Sequence, residues 1–380
     1  MATILQITPA LEAGGVERTT LEIADALMRA GHRALVASAG GRMEAALRAT
    51  GAEFFRLPLD SKNPWTVWRN AERIAALART EGAQLIHARS RAPAWSAYGA
   101  AQALKLPFVT TYHGIYNAKT GLKRLYNSIM AKGDLVIANS DYTRAHVIVE
   151  HGVAPERVIS IPRGVDLDAF DPDAVVPERI AAMRAAWTLP EGAGLVVLLP
   201  ARLTRWKGQK LAIEATAQIL ATQPNAMTLI LAGDAQGRDA YAAELQALIA
   251  ALGLGARVRI VGHVADMPAA LMAADIALAP SLEPEAFGRS AVEAQAMGRP
   301  VIAANHGGFT ETIVAPQTGL LVAPNDPGAL ASALQVLIEV GAEGRENMGA
   351  QGKERARRLY ATSRLQEATL QVYNRLLGDR

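Results

Sequence analysis

Residues 195–215, LVVLLPARLTRWKGQKLAIEA, place a branched apolar run against a turn holding Arg202 and Lys207, and then a helical pattern. Strand, basic turn and helix in that order make one βα unit. The same succession recurs downstream at MTLILAG (227–233), RVRIVGH (257–263), ADIALAP (274–280) and PVIAA (300–304). Upstream it recurs at TILQIT (3–8), RALVAS (33–38), EFFRL (53–57), QLIHA (84–88), PFVTT (107–111) and DLVIA (134–138). Strands alternating with helices predict parallel, doubly wound sheets, and hence an α/β fold.

The segment IPRGVDLDAFDPDAVVPE, dense in Pro, Gly and Asp, interrupts the alternation and reads as a linker. Two Rossmann-like domains are therefore expected, at 1–165 and 180–360. The tail 361–380 carries Leu365, Leu370, Val372, Leu376 and Leu377 on a helical pattern. It is expected to form a last helix packed back on the first domain.

A chain of 380 residues with 50% apolar content can bury cores of that size. No apolar stretch reaches the roughly 20 residues of a membrane span, and MATILQITPALEAGG lacks signal-peptide features, so a cytoplasmic location is expected. Cysteine is absent, which removes disulfides, thiolate metal sites and a cysteine nucleophile. Residues 1–170 carry 20 Lys and Arg against 15 Asp and Glu, and the remainder carry 19 against 21. A mildly basic first half suits an acidic acceptor or an anionic membrane surface better than nucleic acid.

Gly14 and Gly15 fall where the first helix begins, so backbone N–H groups and the helix dipole would favour a phosphate there. The three spaced glycines of a dinucleotide fingerprint are missing, and a purely structural turn is the competing reading. In the second half, Arg202 and Lys207 bracket a strand-to-helix turn. Two cations at the carboxyl edge of a parallel sheet would stabilise a departing diphosphate. Farther on, PSLEPEAFGRSAVEAQAMGRPVIAANHGG holds Glu285 and Glu293 with Phe287, Gly288 and Ser290 between them. Carboxylates so placed can accept hydrogen bonds from a sugar and a ribose.

This last segment resembles, without a gap, the two-glutamate signature of glycosyltransferase family 4, the retaining GT-B enzymes. ARLTRWKG is similar to that family's phosphate-binding Arg and Lys, His113-Gly114 to its first-domain histidine, and Gly14-Gly15 to its phosphate loop. HARSRAPAW and EAFGRSAVEAQAMG resemble the lipopolysaccharide-core transferases of bacteria.

The resemblance implies a GT-B fold whose two Rossmann-like domains face a central cleft, and transfer of a hexose from a nucleotide sugar to a glycan or lipid-linked acceptor. It implies that Glu285 binds the donor sugar, with the Phe287 and Gly288 backbone near its ring and Ser290 close by. Glu293 would bind the ribose, Arg202 and Lys207 the diphosphate, and Gly15 the same diphosphate from the other domain. His113 would lie by the anomeric centre or the sugar's 6-hydroxyl. Catalytic roles would then fall to Glu285, His113, Arg202 and Lys207. Arg163, in PRGVDLDAF, departs from the Asn of many relatives, and no function is carried onto it.

Arg89 and Arg91, at the end of the fourth strand, are candidates for gripping an anionic acceptor, with local salt bridges as the alternative. His87, His263 and His306 read as packed residues. The pairs Asp166/Asp168 and Asp171/Asp173 have the spacing of a metal-binding motif but lie in the linker, and read as turn and cap residues. No metal and no cofactor beyond the sugar nucleotide are expected. The stretch AKTGLKRLYNSIMAKGD mixes Lys119, Lys123, Arg124 and Lys132 with Leu122, Leu125, Tyr126, Ile129 and Met130. It suits peripheral contact with an anionic membrane, against an ordinary helix that buries its apolar stripe. Two other functions fit parts of the pattern: a sugar-nucleotide epimerase of the same fold, and a sugar-nucleotide-binding regulatory protein without turnover.

Overall fold

The computed structural model describes residues 1–12, 14–116, 120–190 and 192–378. Two compact units divide the chain, the first formed by Met1–Arg163 with Thr362–Arg380 and the second by Gly164–Ala361.

The first unit is built on a seven-stranded sheet. Its strands are β1 (Thr3–Ile7), β2 (Arg33–Ser38), β3 (Glu53–Arg56), β4 (Leu85–Ala88), β5 (Phe108–Tyr112), β6 (Leu135–Ala138) and β7 (Val158–Ser160). They run parallel in the order β3-β2-β1-β4-β5-β6-β7. Alternation along each strand sends side chains to opposite faces. Ile4, Val36, Leu85 and Val109 pack with Ile23 and Leu27 of the helix Gly15–Arg29. Leu5, Leu35, Ile86 and Phe108 pack on the other face with Ile74, Ala94 and Ala97. Both faces are therefore covered, as parallel sheets require.

The final helix, Thr362–Gly378, buries Leu365, Val372 and Tyr373 in the first of those clusters. Polar contacts hold it in place. Arg29 Nη2 donates to Gln366 Oε1 at 2.8 Å, and Gln366 Nε2 donates to the Glu22 carbonyl at 2.7 Å. Tyr373 meets His87 Nδ1 at 2.6 Å through its hydroxyl, while His87 Nε2 meets Thr111 Oγ1 at 2.7 Å. Fully buried His87 is thus a core residue whose two ring nitrogens are both used.

The second unit contains β8 (Leu195–Pro200), β9 (Met227–Ala232), β10 (Val258–Gly262), β11 (Ile276–Ala279), β12 (Val301–Ala304) and β13 (Gly319–Val322). These are parallel in the order β10-β9-β8-β11-β12-β13. Val196 and Leu198 belong to one core layer, and Val197 and Leu199 to the other. From Gly164 onward the stretch read as a linker is part of this unit. Val165, Phe170 and Val175 are buried in the same cluster as Trp187, and Val165 N donates to the Tyr360 carbonyl at 2.6 Å. Its Pro and Asp content reflects turns and caps. Asp166 Oδ1 accepts from the amides of Asp168 and Ala169, and Asp171 caps the turn that holds Asp173.

Candidate active site

In each sheet the strand order reverses at one place, between β1 and β4 in the first and between β8 and β11 in the second. Loops leaving the carboxyl ends of such strand pairs diverge, and the gap they leave takes ligands in open α/β sheets. The predicted donor residues of the second unit emerge from those two loops. Arg202 and Lys207 follow β8, and Glu285 follows β11.

The two loops touch. Gly208, at φ +79°, caps the helix Gln209–Thr222, and a Cβ there would stand 2.1 Å from the Pro280 carbonyl oxygen. Only glycine combines that backbone with that approach. Lys207 Nζ lies 2.6 Å from Glu285 Oε1, and Ser281 Oγ donates to the same oxygen at 2.6 Å. The two charged side chains are only 16% and 13% exposed, so the pair is largely desolvated. Nζ also sits 4.2 Å from the centre of the Trp206 ring. An ammonium has three donors and a carboxylate two oxygens, so both partners can bind a ligand without breaking their bond.

The loop carrying Glu285 is clamped by glycines. Gly308 N donates to the Glu285 carbonyl at 2.7 Å, and a Cβ on Gly307 would lie 2.5 Å from that oxygen. At Gly308 a Cβ would lie 2.5 Å from Phe287 Cα, and at Gly288, φ +86°, 2.5 Å from the Phe309 ring. Phe287 is buried with its ring 5.5 Å from that of Tyr360, so its side chain is committed to the core. Glu293 lies in the helix Arg289–Ala296, with Ser290 in the first turn. Its Oε1 accepts from Arg289 Nε at 2.9 Å, with the two side chains 16% and 19% exposed. Arg202 is exposed and holds Gln236 Oε1 only loosely, at 3.4 Å. Beside Trp206 a cavity of about 540 Å³ is lined by Thr204, Arg205, Arg238 and Tyr241.

In the first unit, Gly14 precedes the helix Gly15–Arg29 without a side-chain cap, and the Glu17 carboxylate folds over it. A Cβ on Gly15 would fall 1.7 Å from Arg163 Nη1, so the guanidinium rests directly on this glycine. Arg163 Nη2 reaches His113 Nδ1 at 3.0 Å, and Asn139 Nδ2 donates to the His113 carbonyl at 3.1 Å. His113 Nε2 is buried without a hydrogen-bond partner among the described residues. Burial, then the charges of Arg163 and Arg89, hold the His113 pKa well below its ordinary 6.5, and the ring is neutral.

Arg89, a candidate for gripping the acceptor, is placed in the interior. It is 1% exposed, donates through Nε to Gln6 Oε1 at 2.8 Å, and carries a charge that the interior disfavours. Residue pattern alone gave no warning, because the residue after a strand end is ordinarily exposed. Arg91 is partly buried, donates to Asn127 Oδ1 at 2.8 Å and lies 4.1 Å from the Tyr116 ring centre.

Sequence reasoning missed Arg289, Ser281, Trp206, Asn139 and the contact made by Arg163. Arg289 and Glu293 are four residues apart on a helix, a spacing that signals a pair. Ser281 lies four residues before Glu285 and Trp206 next to Lys207, but in a loop and a turn where spacing signals no contact; Asn139 and Arg163 are brought to His113 only by the fold. His306 Nε2 donates to the Ser281 carbonyl at 2.8 Å and braces the loop of Glu285.

Two doubly wound parallel sheets of this order, with cations and carboxylates at the second switch point, define a glycosyltransferase of the GT-B fold. Residues 13–169 match the model of Glycosyltransferase Family 4, and residues 182–355 that of Glycosyl transferases group 1. A crystal structure of a glycosyltransferase from Rickettsia africae is 33% identical, with a TM-score of 0.92 over 100% of this chain and 99% of that one. Anabaena HepE, solved in complex with UDP-glucose, is 26% identical with a TM-score of 0.84 over 98% and 100% of the two chains. A D-inositol 3-phosphate glycosyltransferase of Kineococcus radiotolerans is 35% identical over 266 residues, which span 66% of this chain and 59% of that protein. The chain belongs to glycosyltransferase family 4.

Proposed function

We propose that the protein transfers a hexose from a nucleotide diphosphate sugar to a glycan or lipid-linked acceptor, with retention and without a metal ion, in lipopolysaccharide core or other cell-envelope polysaccharide synthesis. The observation that carries this reading is the desolvated Lys207–Glu285 pair at the second switch point. Lys207, assisted by Arg202, compensates the charge that grows on the diphosphate as the glycosidic bond breaks. Glu285 accepts hydrogen bonds from the sugar hydroxyls, beside the backbone of Phe287 and Gly288. Glu293 takes the ribose, in exchange for or together with Arg289. A fixed ammonium and a helix N-terminus do the work a divalent ion would otherwise do. Attack of the acceptor on the face from which the diphosphate leaves gives retention. Release of nucleotide diphosphate from UDP-glucose, the sugar nucleotide named for HepE, tests the reading first. Turnover that persists in excess chelator supports metal independence, and loss of turnover rescued by magnesium or manganese overturns it.

A second acceptor class, a phosphorylated polyol, is favoured by the names of the curated relatives. An acceptor panel holding D-inositol 3-phosphate beside truncated lipopolysaccharide separates the two. We further propose peripheral contact with the inner face of the cytoplasmic membrane. In the helix Gly121–Ser128, Leu122 and Leu125 are 81% and 61% exposed, while Ile129 and Met130 just beyond it are buried. Arg124 pairs with Glu150 at 2.9 Å, which leaves Lys123 the better lipid contact; Ala118 and Lys119 lie outside the described residues. Lys123→Ala should weaken binding to anionic vesicles by about 1 kcal/mol. No vesicle binding by the intact protein would end the membrane proposal. Among the described residues no helix is long and apolar enough to cross a membrane.

A further inference from the structure

We infer that Arg163 is a positioning residue that holds His113 as its Nε2–H tautomer, so that the group His113 offers a ligand is a hydrogen-bond donor and not a base. A guanidinium has donors and no acceptor. Since Arg163 Nη2 stands 3.0 Å from His113 Nδ1, that nitrogen must accept, and it is therefore unprotonated. A neutral ring then carries its proton on Nε2. Adding a second proton would set an Nδ1–H against the guanidinium N–H, which geometry and charge both oppose. The low pKa of His113, caused by burial and then by Arg163 and Arg89, agrees with a neutral ring.

Both ends of the contact are held. Arg163 Nη1 occupies the space over Gly15 that a side chain would fill, and the backbone of His113 is pinned through its carbonyl by Asn139. What remains is Nε2–H, buried and without a partner among the described residues. Buried donors without acceptors are rare in folded proteins, and each calls for an acceptor that completes the bond, an atom of a ligand or a water. An oxygen of a sugar hydroxyl or of a phosphate fits that donor. A nitrogen that already carries a proton cannot remove one from an acceptor hydroxyl, so that proton leaves by another route.

The tautomer follows from geometry alone; its link to turnover rests on the role of His113 in the proposed function. Full-length protein labelled with ¹⁵N-histidine tests it by long-range proton–nitrogen correlation, with His113 assigned from the signals lost in His113→Gln. The expected spectrum at neutral pH shows an unprotonated Nδ1 and a protonated Nε2. A protonated Nδ1, or a cationic ring, would overturn the inference. Arg163→Met should release the ring into a mixture of tautomers, and an unchanged spectrum removes Arg163 from the role. Should Arg163→Met fail to fold, Arg163→Lys decides, because an ammonium also donates and must preserve the tautomer.

Turnover of UDP-glucose supplies the second readout. Arg163→Met should lower kcat by at least about tenfold with KM little changed, and Arg163→Lys should restore most of the loss. Normal kcat in a variant with mixed tautomers overturns the kinetic link. A wild-type protein that shows the expected tautomer but does not turn over UDP-glucose counts against the proposed donor, not against the tautomer.

Discussion

At the switch point of the second sheet Lys207 meets Glu285 and Arg289 meets Glu293, whereas around that of the first Arg163 meets a neutral imidazole and Arg89 an amide oxygen. Both regions are built by the same βα succession, and both place cations near the carboxyl ends of parallel strands. They differ in what those cations hold. In the second unit Lys207 and Arg289 are each compensated by a carboxylate, so these residues are already oriented and most of their desolvation is incurred on folding. In the first unit Arg163 donates to a neutral imidazole and Arg89 to an amide oxygen, with Glu22 adding a charge attraction to Arg89, and the Arg163 contact selects a protonation state. Substitutions in the second region should therefore change rate and affinity through charge. Those in the first should act through geometry and proton placement.

The largest expected effect breaks the first half of that contrast. Lys207→Ala removes the ammonium from a site where anionic charge develops, and it leaves Glu285 with Ser281 as its remaining close partner. A lost contact of this kind costs about 2 to 4 kcal/mol of barrier, or roughly 30-fold to nearly 1000-fold in turnover. Arg202→Ala should cost less, because Arg202 is exposed and loosely held. Initial-rate kinetics with thermal melts of both variants check this, and near-normal turnover in Lys207→Ala would remove the diphosphate role.

Next in size is the separation of the two glutamates. Glu285 faces a group that changes shape and charge during reaction, while Glu293 faces a ribose that stays unchanged. Interactions that strengthen only in the transition state govern kcat, and uniform ones govern apparent affinity. Glu285→Gln should lose mainly kcat, by on the order of 100-fold if it removes one strong charge-assisted bond. Glu293→Gln should mainly raise the donor KM, and it also leaves Arg289 without its counter-charge, the Nη2 of that residue being already buried without a partner among the described residues. Donor-saturation kinetics decide, and a loss of kcat confined to Glu293→Gln would reverse the two roles.

Much of this was legible in the sequence, and the reasons for the gaps are physical. Eleven strands follow from their apolar runs, but β7 and β13 do not. Each is the last strand of its sheet: β7 is three residues long with only Val158 and Ile159 apolar, while the apolar run 320–322 of β13 follows a glycine and is passed over. Glu285, Glu293 and Lys207 were visible because they sit in a contiguous motif or beside a glycine that the chain geometry demands. The Arg163–His113 contact joins residues 50 apart, and the Lys207–Glu285 contact residues 78 apart. Spacing cannot show such meetings. Nor could composition show that Arg89 is buried, because its partners Gln6 and Tyr373 come from the first strand and the last helix.

The smallest effect is a pH dependence above the carboxylate range, carried by the first unit, where His87, His113, His146 and His151 all have lowered pKa values. For His87 burial is the chief cause, followed by the charge of Arg89 and by the charge His113 would carry if it were protonated. The unfolded chain takes up a proton near the ordinary 6.5, whereas the folded protein refuses it until the pH is much lower. Stability from this group is thus fully present above about pH 6.5 and is lost progressively as pH falls toward the folded pKa. The loss for His87 can reach about 1.4 kcal/mol for each pH unit in that window. Partly exposed His146 and His151 add less. Calorimetry at about pH 7.5 and about pH 5.5 should therefore show a lower melting temperature at the acid value, with the first unit unfolding earlier. His87→Gln, which can still bond to Tyr373 and Thr111, should melt lower at neutral pH but lose less on acidification. A wild-type melting temperature that rose or stayed level between those pH values would show that these histidines titrate alike in the folded and unfolded chain, and the contrast between a proton-selecting first unit and a charge-compensating second would then lose its thermodynamic support.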